Sequence, residues 1–338
     1  DYNRTDTFTI DQTRPKISVS YSGGNVRNGK YFDQKRTATI TVTEHNFDPS
    51  QFRISIQAAL DGKDIDKPVL SSWTSRGDTH TASITFLHDG DYSFIAETGD
   101  LAGNRSDKYA QSSFTIDTKA PELSFFDIKD HSANKDTVAP GIRSTDLNFD
   151  SSAVTLTLKG AKHKEKTVQG TVSETANGVS IKLPDFAHNK QTDDIYTLTA
   201  RIQDKAGNVT EKSIVFSVNR YGSNFTYGKK TAERLDKYYL SKSSKLVIYE
   251  TNVDQIVDSE IVVLKDGTST TLKKGSDYTV DDESEMNGWH KYKYTISDHC
   301  FSKEGLYEIQ IRTSDKAGNI QDNKIKNSPI RFVIDRTA

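Results

Sequence analysis

Tyr196-Thr197-Leu198-Thr199-Ala200-Arg201-Ile202-Gln203-Asp204-Lys205-Ala206-Gly207-Asn208 is the stretch that decides the fold. Its first part alternates: Tyr196, Leu198, Ala200 and Ile202 share one face, and Thr197, Thr199, Arg201 and Gln203 the other. A period of two with one apolar face is that of a half-buried antiparallel strand. The last five residues reverse the chain, because Gly and Asn accept positive φ and Asp bonds its own backbone. The segment recurs as Tyr92 with Asp100-Leu101-Ala102-Gly103-Asn104 and as Tyr307 with Asp315-Lys316-Ala317-Gly318-Asn319. Tyr precedes Asp by eight residues in every copy; Asp100 to Asp204 is 104 residues and Asp204 to Asp315 is 111. A repeat of that length is one small all-β domain, so three of them stand in tandem.

Each copy runs on into a closing strand: Phe114-Thr115-Ile116-Asp117, Phe216-Ser217-Val218-Asn219, and Phe332-Val333-Ile334-Asp335. Phe8-Thr9-Ile10-Asp11 has the same form, which makes residues 1–11 the tail of a preceding repeat. The domains are then 12–117, 118–219 and 220–335, and 336–338 begins a further repeat. The pattern is open at both ends, with no initiator Met, signal peptide or sorting signal, as expected of a piece of a longer protein. Tyr92, Tyr196 and Tyr307 stand where a tyrosine corner needs its phenol, which would bond a backbone group just upstream. A second signature lies between two early strands of each domain: Glu44-His45-Asn46-Phe47-Asp48, Asp146-Leu147-Asn148-Phe149-Asp150 and Glu250-Thr251-Asn252-Val253-Asp254. The sequence alone leaves open whether the two signatures lie at one end of a sandwich.

The composition of the 338 residues agrees: 33% hydrophobic residues suit several small sandwiches better than one large core, and 15 Tyr with 15 Phe argue for packed interiors. A net charge of −2 gives no reason to expect nucleic acid or an anionic membrane as partner. Cys300 is the sole cysteine, so neither an intrachain disulfide nor a thiolate metal site is available. No stretch approaches the roughly 20 apolar residues that cross a bilayer.

No catalytic pattern stands out. The eight His (His45, His80, His88, His131, His163, His188, His290, His299) neither recur across the repeats nor take zinc spacing, and no nucleophile elbow or phosphate loop occurs. The chain reads as non-enzymatic and without a cofactor. Calcium is the one ion with candidate ligands, the acidic run Asp277, Asp281, Asp282, Glu283 and Glu285, although it lacks the spacing and turn Gly of an EF-hand loop. Asp100, Asp204 and Asp315 are assigned to capping their turns. Trp73 and Trp289 precede their turn Asp by 27 and 26 residues and suit a core. Tyr238, Tyr239, Trp289, Tyr292 and Tyr294 make the longer last domain the richest candidate surface for a sugar or protein ligand. The basic loop from Lys159 to Lys166 reads as a solvated hairpin tip.

On the Tyr-x(7)-Asp-x-Ala-Gly-Asn segment and the Asp-to-Pro junctions ending at Pro15 and Pro121, the chain resembles the tandem Ig-like repeats of Gram-positive surface proteins and adhesins. The resemblance spans nearly the whole chain. It implies an all-β fold of three tandem Ig-like antiparallel β-sandwiches in an extended array. It also implies a secreted, wall-anchored parent at the bacterial cell surface. The expected function is non-catalytic binding of a host glycoprotein or glycan. Alternatives are a passive stalk for a distal head, binding of host immunoglobulin, and an accessory region of a secreted glycosidase. An isopeptide bond like those of some such domains would need Glu44, Asp146 or Glu250 beside a Lys, and no Lys recurs there. Pro15 and Pro121 are expected to stiffen their joints. The joint from Asn219 to Asn224 has Gly222 and no Pro, and is expected to be the more flexible one.

Overall fold

A computed structural model of the chain describes residues 6–323 and 330–337. The first five residues of the expected N-terminal tail, and Ala338 of the expected C-terminal lead-in, lie outside them.

The strands fall into three pairs of sheets. The first pair sets Lys16–Ser22, Arg36–Thr43, Thr79–Phe86 and Thr74–Arg76 in that order. Facing it, in order, are Tyr31–Phe32, Tyr109–Ile116, Gly90–Glu97, Arg53–Leu60 and Lys63–Asp64. Every pairing is antiparallel except that of Tyr31–Phe32 with Tyr109–Ile116. This is the immunoglobulin arrangement of two sheets joined by crossing connections. The second pair repeats it with Glu122–Phe126, Gly141–Thr145, Gly178–Lys182 and Thr171–Thr175 against Lys166–Thr167, Phe149–Gly160, Asp194–Asp204 and Val209–Val218. The third does so with Asn224–Tyr227, Leu246–Asn252, His290–Ile296 and Tyr278–Asp282. Its partner sheet is Tyr239–Leu240, Ile330–Ile334, Gly305–Asp315, Ile256–Lys265 and Thr268–Thr271.

Each pair closes on its own core, built from the alternate residues that the sequence puts on one face. Tyr196, Leu198, Ala200 and Ile202 are buried, and Phe216 and Val218 meet them from the neighbouring strand. Phe8 and Ile10, spaced from Asp11 as Phe114 and Ile116 are from Asp117, are 80% and 74% exposed, whereas Phe114 and Ile116 are buried.

The three tyrosine corners form as the sequence predicts. Tyr92 Oη donates to His88 O at 2.9 Å, Tyr196 Oη to Thr192 O at 3.0 Å, and Tyr307 Oη to Lys303 O at 2.8 Å. Burial pushes the Tyr196 phenol up to about 12, so it stays a donor throughout the physiological range.

The extra length of the last domain is partly a helix, Lys229–Lys237, inserted after its first strand. The helix lies on the core through Leu235, and its buried Thr231 accepts from Val247 N at 2.9 Å. It ends at Tyr238, whose φ of 60° turns the chain into Tyr239–Leu240. No helix among the described residues is long and apolar enough to cross a membrane.

Candidate functional site at the domain joints

Both signatures come together at one end of each sandwich. Leu101 N donates to Asn46 O, Lys205 N to Asn148 O, and Lys316 N to Gln255 O, at 3.1, 2.9 and 2.9 Å. Within the Ala-Gly-Asn turn one Asp oxygen caps the backbone. Asp100 Oδ1, Asp204 Oδ1 and Asp315 Oδ1 accept from Asn104 N, Asn208 N and Asn319 N at 2.8, 2.9 and 2.8 Å. The other oxygen holds the Asn side chain: Asn104 Nδ2 reaches Asp100 Oδ2 at 2.8 Å, and Asn208 and Asn319 repeat the bond at 2.8 and 3.0 Å.

That Asn amide then grips the preceding domain. Asn104 Nδ2 donates to Asp11 O at 3.0 Å, Asn208 Nδ2 to Asp117 O at 2.8 Å, and Asn319 Nδ2 to Asn219 O at 2.8 Å. Asp117 and Asn219 are the last residues of the closing strands' sequence pattern, and Asp11 ends the copy of that pattern in the tail. The turn thus does two jobs, reversing its own chain and holding the residue with which the previous repeat ends.

The first two joints are alike in their side chains as well. Asn46 Nδ2 donates to Asp11 Oδ2 and Asn148 Nδ2 to Asp117 Oδ2, both at 2.7 Å. A carboxylate from the second signature completes each group, giving Asp11, Glu44 and Asp100 at one joint and Asp117, Asp146 and Asp204 at the next. In both sets one oxygen of each residue lies within 4.8 Å of the others. Glu44 and Asp100 are 4% exposed, Asp117 5% and Asp204 1%. Burial, and then the neighbouring Asp117 and Asp204 charges, push the Asp146 carboxyl up to about 6 against the bond from Asn148 N. The Asp204 carboxyl is raised for the same reasons. A groove of about 750 Å³ lined by Leu60, Asp89, Asp117, Lys119, Asp146 and Asn148 leads from solvent to the second group.

The third joint is built differently. Asn219, fully buried, puts Nδ2 2.8 Å from Asn252 Oδ1, 2.9 Å from Asp254 Oδ2 and 2.9 Å from Asp315 Oδ2. Its Oδ1 accepts from Gly222 N at 3.1 Å. Carboxylates only accept, so the nitrogen end of the amide must face Asp254 and Asp315. Glu250 accepts from Tyr294 Oη at 2.6 Å, from Thr313 Oγ1 at 2.6 Å and from Ser223 Oγ. Burial raises its carboxyl above the usual range against those three bonds, and it does the same to Asp254. The partners of Glu250 are hydroxyls, not the Lys–Asn pair of an isopeptide site.

This joint was expected to be the looser one, and its contacts say otherwise. Trp289 Nε1 of the last domain donates to Asp194 Oδ1 of the middle one at 2.8 Å, and Lys162 Nζ lies 3.0 Å from the centre of the indole ring. Ser217 Oγ donates to Asp254 Oδ2 at 2.9 Å, Lys135 Nζ to Gly318 O at 2.9 Å, and Lys316 Nζ to His131 O at 3.3 Å. Gly222, at φ 61°, turns the chain tightly, and the backbone N–H groups of Arg220 and Tyr221 are held by Asp193. The absence of Pro is offset by these side-chain bonds.

The aromatic candidates of the last domain divide. Tyr292 and Tyr294 are 7% and 1% exposed and belong to the core, because their strand turns that face inward. Trp289 is half-buried in the joint. Only Tyr238 and Tyr239, 38% and 67% exposed and edge-to-face at 5.2 Å, remain on the surface. Trp73 packs against Phe47 and Phe52.

The acidic run does not converge on one point. Asp281 pairs with Lys293 and Glu283 with Lys291, Asp282 Oδ1 caps Ser284, and Asp277 Oδ2 accepts from Lys273 N. Of the five, only Asp277 joins a ligand-competent group among the described residues, and there its companions are His299 and Cys300. The residues that sequence reasoning passed over are Asp11, Asp117 and Asn219 together with Asn46, Asn148 and Asn252. Their signal was present, since the acid-x-Asn spacing recurs in all three second signatures.

The profile of the family described as bacterial Ig-like domain (group 3) matches residues 78–221. That stretch covers the last 40 residues of the first sandwich, 78–117, and all of the second. No curated protein matches the sequence. A solved structure described as the tetra-tandem repeat in the extending region of a large adhesion protein aligns with 96% of this chain and 75% of that one, at 18% identity and a TM-score of 0.41. The three sandwiches share one topology, so the chain is three Ig-like sandwiches in tandem, and over residues 78–221 it matches the bacterial Ig-like family.

Proposed function

We propose that this segment is a non-catalytic spacer of a secreted bacterial surface adhesin, which holds a binding region away from the cell through stiffened joints between repeats. The observation that carries this reading is the clamp of Asn104, Asn208 and Asn319 on Asp11, Asp117 and Asn219. A linker residue held by backbone and side chain has little freedom to swing, so each joint passes orientation from one sandwich to the next. Small-angle scattering tests it: the chain should be extended with a narrow distribution of shapes, and Asn208→Ala with Asn319→Ala should broaden that distribution. A wild-type chain as broadly distributed as the double variant refutes the reading.

A second reading, binding of a host glycoprotein or glycan, is favoured by the exposed Tyr238–Tyr239 pair beside the helix. Two aromatic faces at a surface offer stacking to a sugar ring or an anchor for a protein partner. Immobilised mucin, a glycan array and serum immunoglobulin are the probes. Saturable binding lost in Tyr238→Ala with Tyr239→Ala supports this reading, and no binding to any of them rejects it.

A further inference from the structure

We infer that Asp277, His299 and Cys300 of the last sandwich form a binding site for zinc, each residue giving one ligand and the fourth position staying open to water. The inference stands independently of the spacer reading.

The fold brings the three residues together from two places. Asp277 immediately precedes the strand Tyr278–Asp282, and His299 and Cys300 lie in a short helical turn, Asp298–Phe301, just after the strand His290–Ile296. Those strands pair antiparallel with Tyr278 opposite Ile296, so the residues before one and after the other meet by register. Both sides are held. Ser297 N donates to Asp277 O at 2.8 Å, and Asp277 N to Lys273 O at 2.9 Å. Asp277 Oδ2 accepts from Lys273 N at 2.8 Å, which leaves Oδ1 for the site. Phe301 is fully buried and ties the helical turn to the core. His290, at the other end of its strand, pairs with Asn252 of the third joint, so the site lies at the end of the sandwich away from that joint.

The distances suit the ion. His299 Nε2 is 3.2 Å from Asp277 Oδ1. Nitrogen and oxygen ligands about 2.0–2.2 Å from one zinc, at the tetrahedral angle, stand roughly 3.3 Å apart. One ligand atom of each of the three residues lies within 4.8 Å of the others. His299 is exposed and Asp277 and Cys300 are half-buried, so an ion can enter from solvent without opening the sandwich.

The donor set also selects the metal. The sequence groups Asp277 with four other acids as calcium ligands, but the fold gives it a nitrogen and a sulfur for companions. Calcium takes oxygens, whereas zinc takes imidazole and thiolate. A sole cysteine excludes a site built on thiolates alone and leaves room for one of mixed ligands. The thiol is not set up as a nucleophile. Burial and the Asp277 charge push it up, and it donates to Asp277 O at 3.7 Å instead of to an imidazole. When zinc binds, the Cys300 proton passes to solvent and the thiolate takes the metal, so affinity should rise with pH.

Cobalt(II), which accepts the same ligands and reports them by its absorption, tests this on the full chain stripped by EDTA with the thiol kept reduced. A thiolate-to-cobalt charge-transfer band in the near ultraviolet is expected, saturating at one equivalent and erased by zinc. Asp277→Asn keeps the acceptor for Lys273 N, and His299→Ala changes an exposed side chain, so both should fold, which circular dichroism checks. Each should weaken zinc binding in titration calorimetry by more than about 10-fold, since even groups behind the ligands are worth about 10–100-fold. Cys300→Ser should lose the band. A wild-type chain without the band overturns the inference. So does a band whose affinity is the same in Asp277→Asn and His299→Ala as in wild type, because the metal then sits on the thiol alone.

Discussion

Replacing Trp289 with Phe should uncouple the last two domains by an amount that their contact fixes. Asp194 is fully buried at the start of its strand. Its Oδ2 accepts from Lys162 N at 2.8 Å and bonds His163 Nδ1 at 2.6 Å, while Oδ1 accepts from Ile195 N at 2.9 Å and from the indole at 2.8 Å. Phe keeps an aromatic face under Lys162 but has no N–H. The loss is one hydrogen bond to a charged group, about 1.5–3 kcal/mol. Trp289→Ala forfeits the cation–π contact as well, about 0.5–2 kcal/mol more. If the two domains melt as one unit, differential scanning calorimetry should show their transition roughly 3–12 °C lower in Trp289→Phe. A double-mutant cycle with Asp194→Ala, which removes the acceptor, separates the bond from general damage, and about 1.5 kcal/mol or more of coupling is expected. Coupling within about 0.5 kcal/mol of zero, the usual additivity of unconnected sites, would refute the reasoning.

Other expectations concern single domains. Tyr307→Phe removes the phenol that bonds Lys303 O, and should cost the last domain about 1–2 kcal/mol in urea unfolding. Gly103→Ala adds a Cβ where nothing lies within 4 Å, yet φ is 93°, so a loss of about 1–2 kcal/mol from backbone strain alone is expected in the first domain's midpoint. Glu250, whose folded-state carboxyl is raised above its unfolded value, binds its proton more tightly in the native chain. Its contribution is therefore most favourable below the unfolded value of 4.5 and falls as pH rises through the raised one. The stability of wild type relative to Glu250→Gln should decline over that rise, and a flat or rising difference would contradict the burial argument.

The periodic strands and the turns were legible because local rules govern both. Tyr196 to Ile202 alternates whatever surrounds it, and Gly207 must sit near its φ of 98° to reverse the chain. The corner bonds followed from the position of Tyr alone. The joint was only half legible. Asp117, Asp146 and Asp204 are 29 and 58 residues apart in turn, and each has a sufficient local reason to be acidic, so no local rule unites them. The same limit hid the fate of Trp289. Its nearest partners, Asp194 and Lys162, lie in another domain, and sequence shows only an aromatic residue in a long loop. Tyr292 and Tyr294 misled in the opposite way, because they sit in a strand whose polar residues, Lys291 and Lys293, face outward.

Each clamp is assembled from two repeats, so the unit that is complete in itself is offset from the sandwich. A fragment cut at the first strand of the middle domain, Glu122, would keep every sheet residue and lose the carbonyl that Asn208 reads. Starting at Asp117 restores it. The same offset gives each joint a direction: the Asp117 carbonyl is held only where the Ala-Gly-Asn turn of the following repeat is formed. Each end residue is thus fixed by the repeat that follows it, not by its own.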